Sequence, residues 1–113
     1  MKWLSLHVGG QRIAVHLVRR EHPKLAGLDG VYYPELGRVY IASDLEEGPR
    51  EDALFHELDH AVNDVSGANN VLTSVVAPSK LESVEEQIVR CRTPIWHRLL
   101  KDLGFKFPKG PSP

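Results

Sequence analysis

The chain has 113 residues, enough for one hydrophobic core and too few for a separate substrate-binding domain. Lys and Arg total 14 against 15 Asp and Glu, a formal charge of -1, so composition makes no electrostatic case for sequence-independent nucleic-acid binding or for an anionic membrane surface. Cys91 is the only cysteine, which excludes an internal disulfide and a cysteine-based zinc site and suits a reducing compartment. Any metal has to be held by His and carboxylate.

In chain order, the opening stretch MKWLSLHVGGQRIAVHLV is interrupted by His7 and Gly9-Gly10 before a signal-peptide core could form. No run approaches membrane-spanning length, so the expected location is the cytoplasm, with neither membrane nor nucleic acid as a partner. WLSLHV and RIAVHLV alternate, are β-rich and are joined by GGQ, which predicts a hairpin over residues 2–19. After a loop around Pro23 the pattern repeats in VYYPELGRVYIA: a strand at Val31 to Tyr33, a turn through Pro34 and Gly37, and a strand at Arg38 to Ala42. The expected sheet is small, mainly antiparallel, with three to four strands.

The period then changes. In SDLEEGPREDALFHELDHAVNDVSG, residues Leu54, Phe55, Leu58, Ala61, Val62 and Val65 recur at helical spacing, with Pro49 near the first turn and Gly67 as the stop. Acidic residues crowd its beginning, where the helix dipole favours them. A loop containing GANN and Pro78 is expected next, then a second helix from SKLESVEEQ that bends or restarts at Pro94 and ends at Gly104. The fold class is therefore α+β. Residues 1–106 form a single domain in this reading, and the Pro-rich tail 107–113 frays.

Within the first helix, LFHELDHAV carries His56, Glu57 and His60 as H-E-x-x-H. At about 100° per residue these three face away from the apolar stripe. Two His at i and i+4 lie one turn apart and can bind one Zn²⁺, and the Glu after the first His flanks the metal as a base for its water. The bland alternative is a solvated polar face.

Two His are too few for a catalytic zinc site, which usually takes three protein ligands and keeps one position open. On the second helix Leu81, Val84, Ile88, Ile95, Leu99 and Leu103 define an apolar face, with Glu85 near its middle and Glu86 well off it. A carboxylate on a core stripe requires a partner, and zinc would be one.

HExxH on one helix with a Glu on a second, the RVYIASDL strand before it and the VEEQIV segment after it resemble the gluzincins, in particular compact ImmA/IrrE-like zincins and minigluzincins of the kind common in phage genomes. The resemblance spans about residues 30–100 and rests on four residues. It implies His56 and His60 as helix ligands, Glu57 as general base and Glu85 as third ligand, in a zinc-dependent metallopeptidase acting on a peptide or protein. Asp59 departs from the pattern, where such proteins often carry an apolar or small residue.

The remaining histidines have ordinary expectations. His7, His16 and His22 read as exposed or hydrogen-bonded, and His97 as solvated on the polar side of the second helix near Arg90. Cys91 reads as a small core residue, and Asp64 as an imidazole-orienting group or a surface carboxylate. Tyr32, Tyr33, Tyr40 and His97 are the candidates for stabilising an oxyanion, and Arg38 to Ala42 is the strand expected to receive an extended peptide at a sheet edge. The alternative function is a non-catalytic zinc-binding or protein-interaction module on the same scaffold.

Overall fold

The structure, a computed structural model, describes residues 1–106 and 108. It is an α+β fold, with one four-stranded sheet followed by three α-helices. Strands β1 (Lys2–Val8) and β2 (Gln11–Val18) form the expected antiparallel hairpin. Gly9 and Gly10 turn it at φ 57° and 82°, the positive values that a tight two-residue hairpin needs. A second hairpin pairs β3 (Gly30–Tyr33) with β4 (Arg38–Ala42), closed by a 3-10 turn at Pro34–Leu36 and by Gly37.

The hairpins lie side by side in the order β1-β2-β4-β3, so the two returning strands, β2 and β4, run parallel. The sheet is thus mixed, and β4 is interior. Arg38 to Ala42 cannot receive a peptide by edge pairing, because both of its edges are already bonded. The open edges belong to β1 and β3. What moves β4 inward is the connection between the hairpins, which passes round the end of the sheet before β3 begins. Its Leu25 is fully buried against Tyr40 and Ala42.

Both faces of β4 are consequently covered, and Val39 through Ala42 are all buried. On one face Val39 and Ile41 join Ile13, Val15 and Leu17 of β2 against Leu54 of helix α1 (Glu47–Val65). Alternation in β2 and the apolar run in β4 have the same cause: one-sided against two-sided burial.

Helix α1 ends at Gly67 in the left-handed conformation, φ 82°. The segment expected to be a loop instead forms helix α2 (Ala68–Val75). The two Asn favour turns, but Leu72 is partly buried in a segment packed against α1 and α3, and that packing outweighs weak local propensity. Helix α3 (Leu81–Asp102) follows a 3-10 turn at Pro78–Lys80 and runs through Pro94 without restarting. Gly104 stops it as expected: its N–H donates to Lys101 and that of Phe105 to Leu100, a Schellman closure.

The face that α3 buries differs from the apolar one. Val89, Thr93 and His97 are buried, whereas Ile95, Leu99 and Leu103 are 69%, 46% and 74% exposed, so the apolar stripe past Pro94 does not mark the core. Thr93 donates to the Val89 carbonyl at 2.9 Å, and His97 lies between two carboxylates, so neither buries an unanswered polar group. Cys91 is exposed, not in the core. The expected frayed tail lies outside the described residues apart from Pro108, whose carbonyl accepts a hydrogen bond from Trp3 Nε1 at 3.3 Å. No helix among the described residues is long and apolar enough to cross a membrane.

Candidate metal centre

Helices α1 and α3 bring together the histidines of the motif and the paired glutamates. His56 and His60, one turn apart, turn their Nε2 atoms towards each other at 3.3 Å. Glu86 caps both, with Oε1 2.8 Å from His56 Nε2 and Oε2 2.8 Å from His60 Nε2. These three side chains are the group among the described residues whose ligand atoms converge closely enough to hold one metal ion. Two imidazoles and one carboxylate are a donor set suited to zinc, and three protein ligands leave a position open.

Glu85, expected as the third ligand, does something else. Its Oε1 is 2.7 Å from Nδ1 of His60, the nitrogen facing away from the other donors. The imidazole is thereby fixed in orientation, with Nε2 left free for a metal. Burial alone would lower the His60 pKa, but Glu85, then Glu57 and Glu86, outweigh it and raise it. Glu86, expected to be solvated, is half-buried; burial works against its charge, and His56, Arg90 and His60 overcome this to hold its carboxyl low. The one-residue displacement follows from the buried face of α3. Glu86 shares a ladder with Val89, Thr93 and His97, spaced three and four apart, while Glu85 lies a third of a turn away.

Glu57 was expected to face away from the core with the histidines and is in fact 8% exposed, beneath β3. Its carboxylate accepts a hydrogen bond from the Tyr32 backbone. Burial pushes its pKa up to about 7; His60 opposes the rise, and Glu86 and Glu85 add to it. The space it occupies depends on Gly30: a Cβ there would lie 2.9 Å from Ile41 Cδ1 and 3.1 Å from Glu57 Cγ.

The site opens into a cleft of about 820 Å³ between β3, α1 and the start of α3. Gly30, Val31 and Tyr32, on the free edge of the sheet, line it. Of the oxyanion candidates, only Tyr32 lines this cleft, and its hydroxyl donates to Asp64 Oδ2 at 2.9 Å. Burial, and secondarily that bond, push the Tyr32 pKa up to about 12. Asp64 therefore serves a tyrosine and not an imidazole. Tyr33 donates to the Lys24 carbonyl, Tyr40 is buried under Leu25, and His97 is buried behind α1.

Two further contacts hold α3 in place. Asp59, the unusual residue within the motif, takes a bidentate pair from Arg92 at 2.9 and 2.6 Å, and Arg92 also donates to Asn63 at 2.9 Å. His97, expected in solvent, bridges Asp52 and Glu51, with Glu51 3.0 Å from Nε2 and also 3.1 Å from Lys101 Nζ. Burial acts against the Glu51 charge, and His97 with Lys101 overcomes it, holding that carboxyl low. Of the other histidines, His22 Nδ1 accepts from the Lys24 N–H at 3.0 Å, His16 stacks on Tyr40, and His7 is exposed.

Comparison with known protein families, with curated proteins and with solved structures gives no match.

Proposed function

We propose that the protein is a zinc-dependent metallopeptidase of gluzincin type, with His56, His60 and Glu86 as ligands and Glu57 as general base. The observation that carries this reading is the convergence of two imidazole Nε2 atoms on both oxygens of one carboxylate at 2.8 Å, beside a buried glutamate. A purely structural zinc site would fill all four positions with protein ligands and has no use for an adjacent base.

Bound at these ligands, zinc supplies Lewis acidity, lowering the pKa of a water and polarising a carbonyl. The chain supplies the rest. Glu57, buried beside the ligand position, accepts the proton of the attacking water on its carboxylate and delivers it to the leaving amine. Glu85 keeps His60 turned towards the ligand position. The free edge of β3 offers backbone groups with which an extended peptide can pair across the cleft. With β4 interior, β3 takes the role expected of Arg38 to Ala42.

The test is metal analysis and peptide hydrolysis by untagged wild type and Glu57→Gln. The expected result is one zinc per chain in both, with metal-dependent cleavage in the wild type alone. Full zinc loading with no cleavage of a diverse peptide library by the wild type would favour a non-catalytic zinc module. Undiminished cleavage by Glu57→Gln would remove Glu57 from the chemistry.

A further inference from the structure

Helix α3 turns a polar-tied face inward and leaves an apolar one outside. At about 100° per residue, Ile95, Trp96, Leu99 and Leu103 fall within roughly 100° of arc, the width of stripe that a helix normally buries. That arc is centred roughly 100° round the helix from the ladder of Val89, Thr93 and His97, and its four members are 69%, 49%, 46% and 74% exposed. Upstream, where α2 packs against α3, the apolar residues Leu81, Val84 and Ile88 are half-buried; beyond Pro94 the stripe is open. Its uncovered part amounts to on the order of 500 Å², a size at which a contiguous apolar patch is often a contact site.

The charges that edge the stripe fit a second copy of the same helix. On the side away from the ladder lie Arg98 and Asp102, one turn apart, 79% and 60% exposed and joined at 3.0 Å through Arg98 Nε. When a helix packs on its own copy about a two-fold axis perpendicular to it, the two run antiparallel and each flank meets the same flank of the other. With the axis near Leu100, Arg98 lies opposite the partner's Asp102 and Asp102 opposite the partner's Arg98. The two Nη groups of Arg98, which its own Asp102 does not engage, then find a carboxylate. The area fits as well: a stable interface takes about 800 Å² from each partner, of which the stripe supplies more than half and the charged edge a polar rim. The C-terminal residues are poorer candidates for the cover. By Pro108 the chain has reached Trp3 on β1, and residues 109–113 are Lys-Gly-Pro-Ser-Pro, with no large apolar side chain.

We infer that the second half of α3 is the contact of a symmetric homodimer, two copies packing antiparallel through Ile95, Trp96, Leu99 and Leu103 with reciprocal Arg98–Asp102 pairs at the rim. Apolar burial supplies the affinity, and the charge pairs fix the direction in which the helices run. Neither motif histidine nor Glu57, Glu85 or Glu86 takes part, so the dimer stands whether or not the metal centre is catalytic.

Sedimentation velocity of the full chain over a range of concentrations tests this. The wild type is expected to sediment with the mass of two chains above about 10 µM. Leu99→Glu places a charge at the middle of the stripe, on a position exposed in the single chain, so the fold should tolerate it while dimerisation weakens by at least about 100-fold. Circular dichroism confirms that the variant is folded. A charge swap tests the antiparallel arrangement separately. Arg98→Asp alone and Asp102→Arg alone each set like charges opposite one another and should weaken self-association, whereas an equimolar mixture of the two should form the heterodimer about tenfold more tightly than either forms its homodimer. A wild type that stays monomeric up to about 100 µM would overturn the inference and leave the stripe to the chain's own tail or to a different protein. Wild-type association that survives Leu99→Glu, assembly beyond two chains, or a mixture without heterodimer preference would overturn it equally.

Discussion

Truncating the two adjacent glutamates separates the role of ligand from that of support. In Glu86→Ala both 2.8 Å contacts to the imidazole Nε2 atoms are lost, and two protein ligands remain of three. Zinc held by protein side chains is worth about 10–16 kcal/mol where measured in small domains. One ligand of three then accounts for roughly 3–5 kcal/mol, which is about three orders of magnitude in affinity. In Glu85→Ala all three donors remain and only the 2.7 Å contact to His60 Nδ1 is lost. Removing such an orienting partner typically costs about 10–100-fold. The two variants differ by one position in sequence and should differ by at least tenfold in zinc affinity, Glu86→Ala being the weaker binder. Competition against a chromophoric chelator near neutral pH measures both. A larger loss in Glu85→Ala, or equal losses, would refute the assignment of Glu86 and with it the phase of α3.

Other predictions follow from the buried charges. In metal-free protein the Glu57 pKa rises from 4.5 to about 7, so the folded chain holds a proton that the unfolded chain releases, and stability falls across that range by on the order of 3 kcal/mol. His60, also raised, adds to the trend because its stabilisation is present below 6.5 and lost as pH climbs through its folded value; the lowered Glu51 and Glu86 exert their effect at more acid pH. The urea midpoint of metal-free protein should therefore drop between about pH 5.5 and about pH 8, and a rising midpoint would contradict it. His97→Ala leaves Glu51 buried with only Lys101 to answer it and should cost about 2–4 kcal/mol, read as a fall in Tm of at least about 8 °C, with zinc still bound. Gly30→Ala should lower turnover more than zinc loading, because the added methyl crowds Glu57 and Ile41 and neither imidazole.

Much of the fold was legible because its local signals agreed with its packing. The glycine pair between alternating segments gave the first hairpin, and the change of period at Leu54 gave α1. The place of β4 was not legible, since strand order depends on where the 19–29 connection crosses and no local pattern carries that. The continuous apolar run Val39 to Ala42 was a usable signal of two-sided burial that an edge strand would not show. Helix α2 was hidden by the turn propensity of Asn69 and Asn70, although Val71, Leu72 and Val75 already had helical spacing.

The convergence of the two motif histidines was legible, and the glutamate that meets them lies one residue from the expected position. His56, Glu57 and His60 could be picked out because the i, i+4 spacing is itself the requirement for shared ligation. The choice between Glu85 and Glu86 was made on apolar positions, and on α3 those do not mark the core. Glu86, Val89, Thr93 and His97 form the inward ladder, and most of its members are polar. Their burial is possible because each polar member has a partner: Glu86 two imidazoles, Thr93 a carbonyl, His97 two carboxylates. The partners of Glu86 and His97 sit on α1, at the motif histidines and at Glu51 with Asp52, while Thr93 is satisfied within α3. Asp59 fits the same scheme through Arg92. Asp59 thus reads as one more polar tie, and the helix contact that places Glu86 beside the two histidines is specified by paired charge more than by apolar packing.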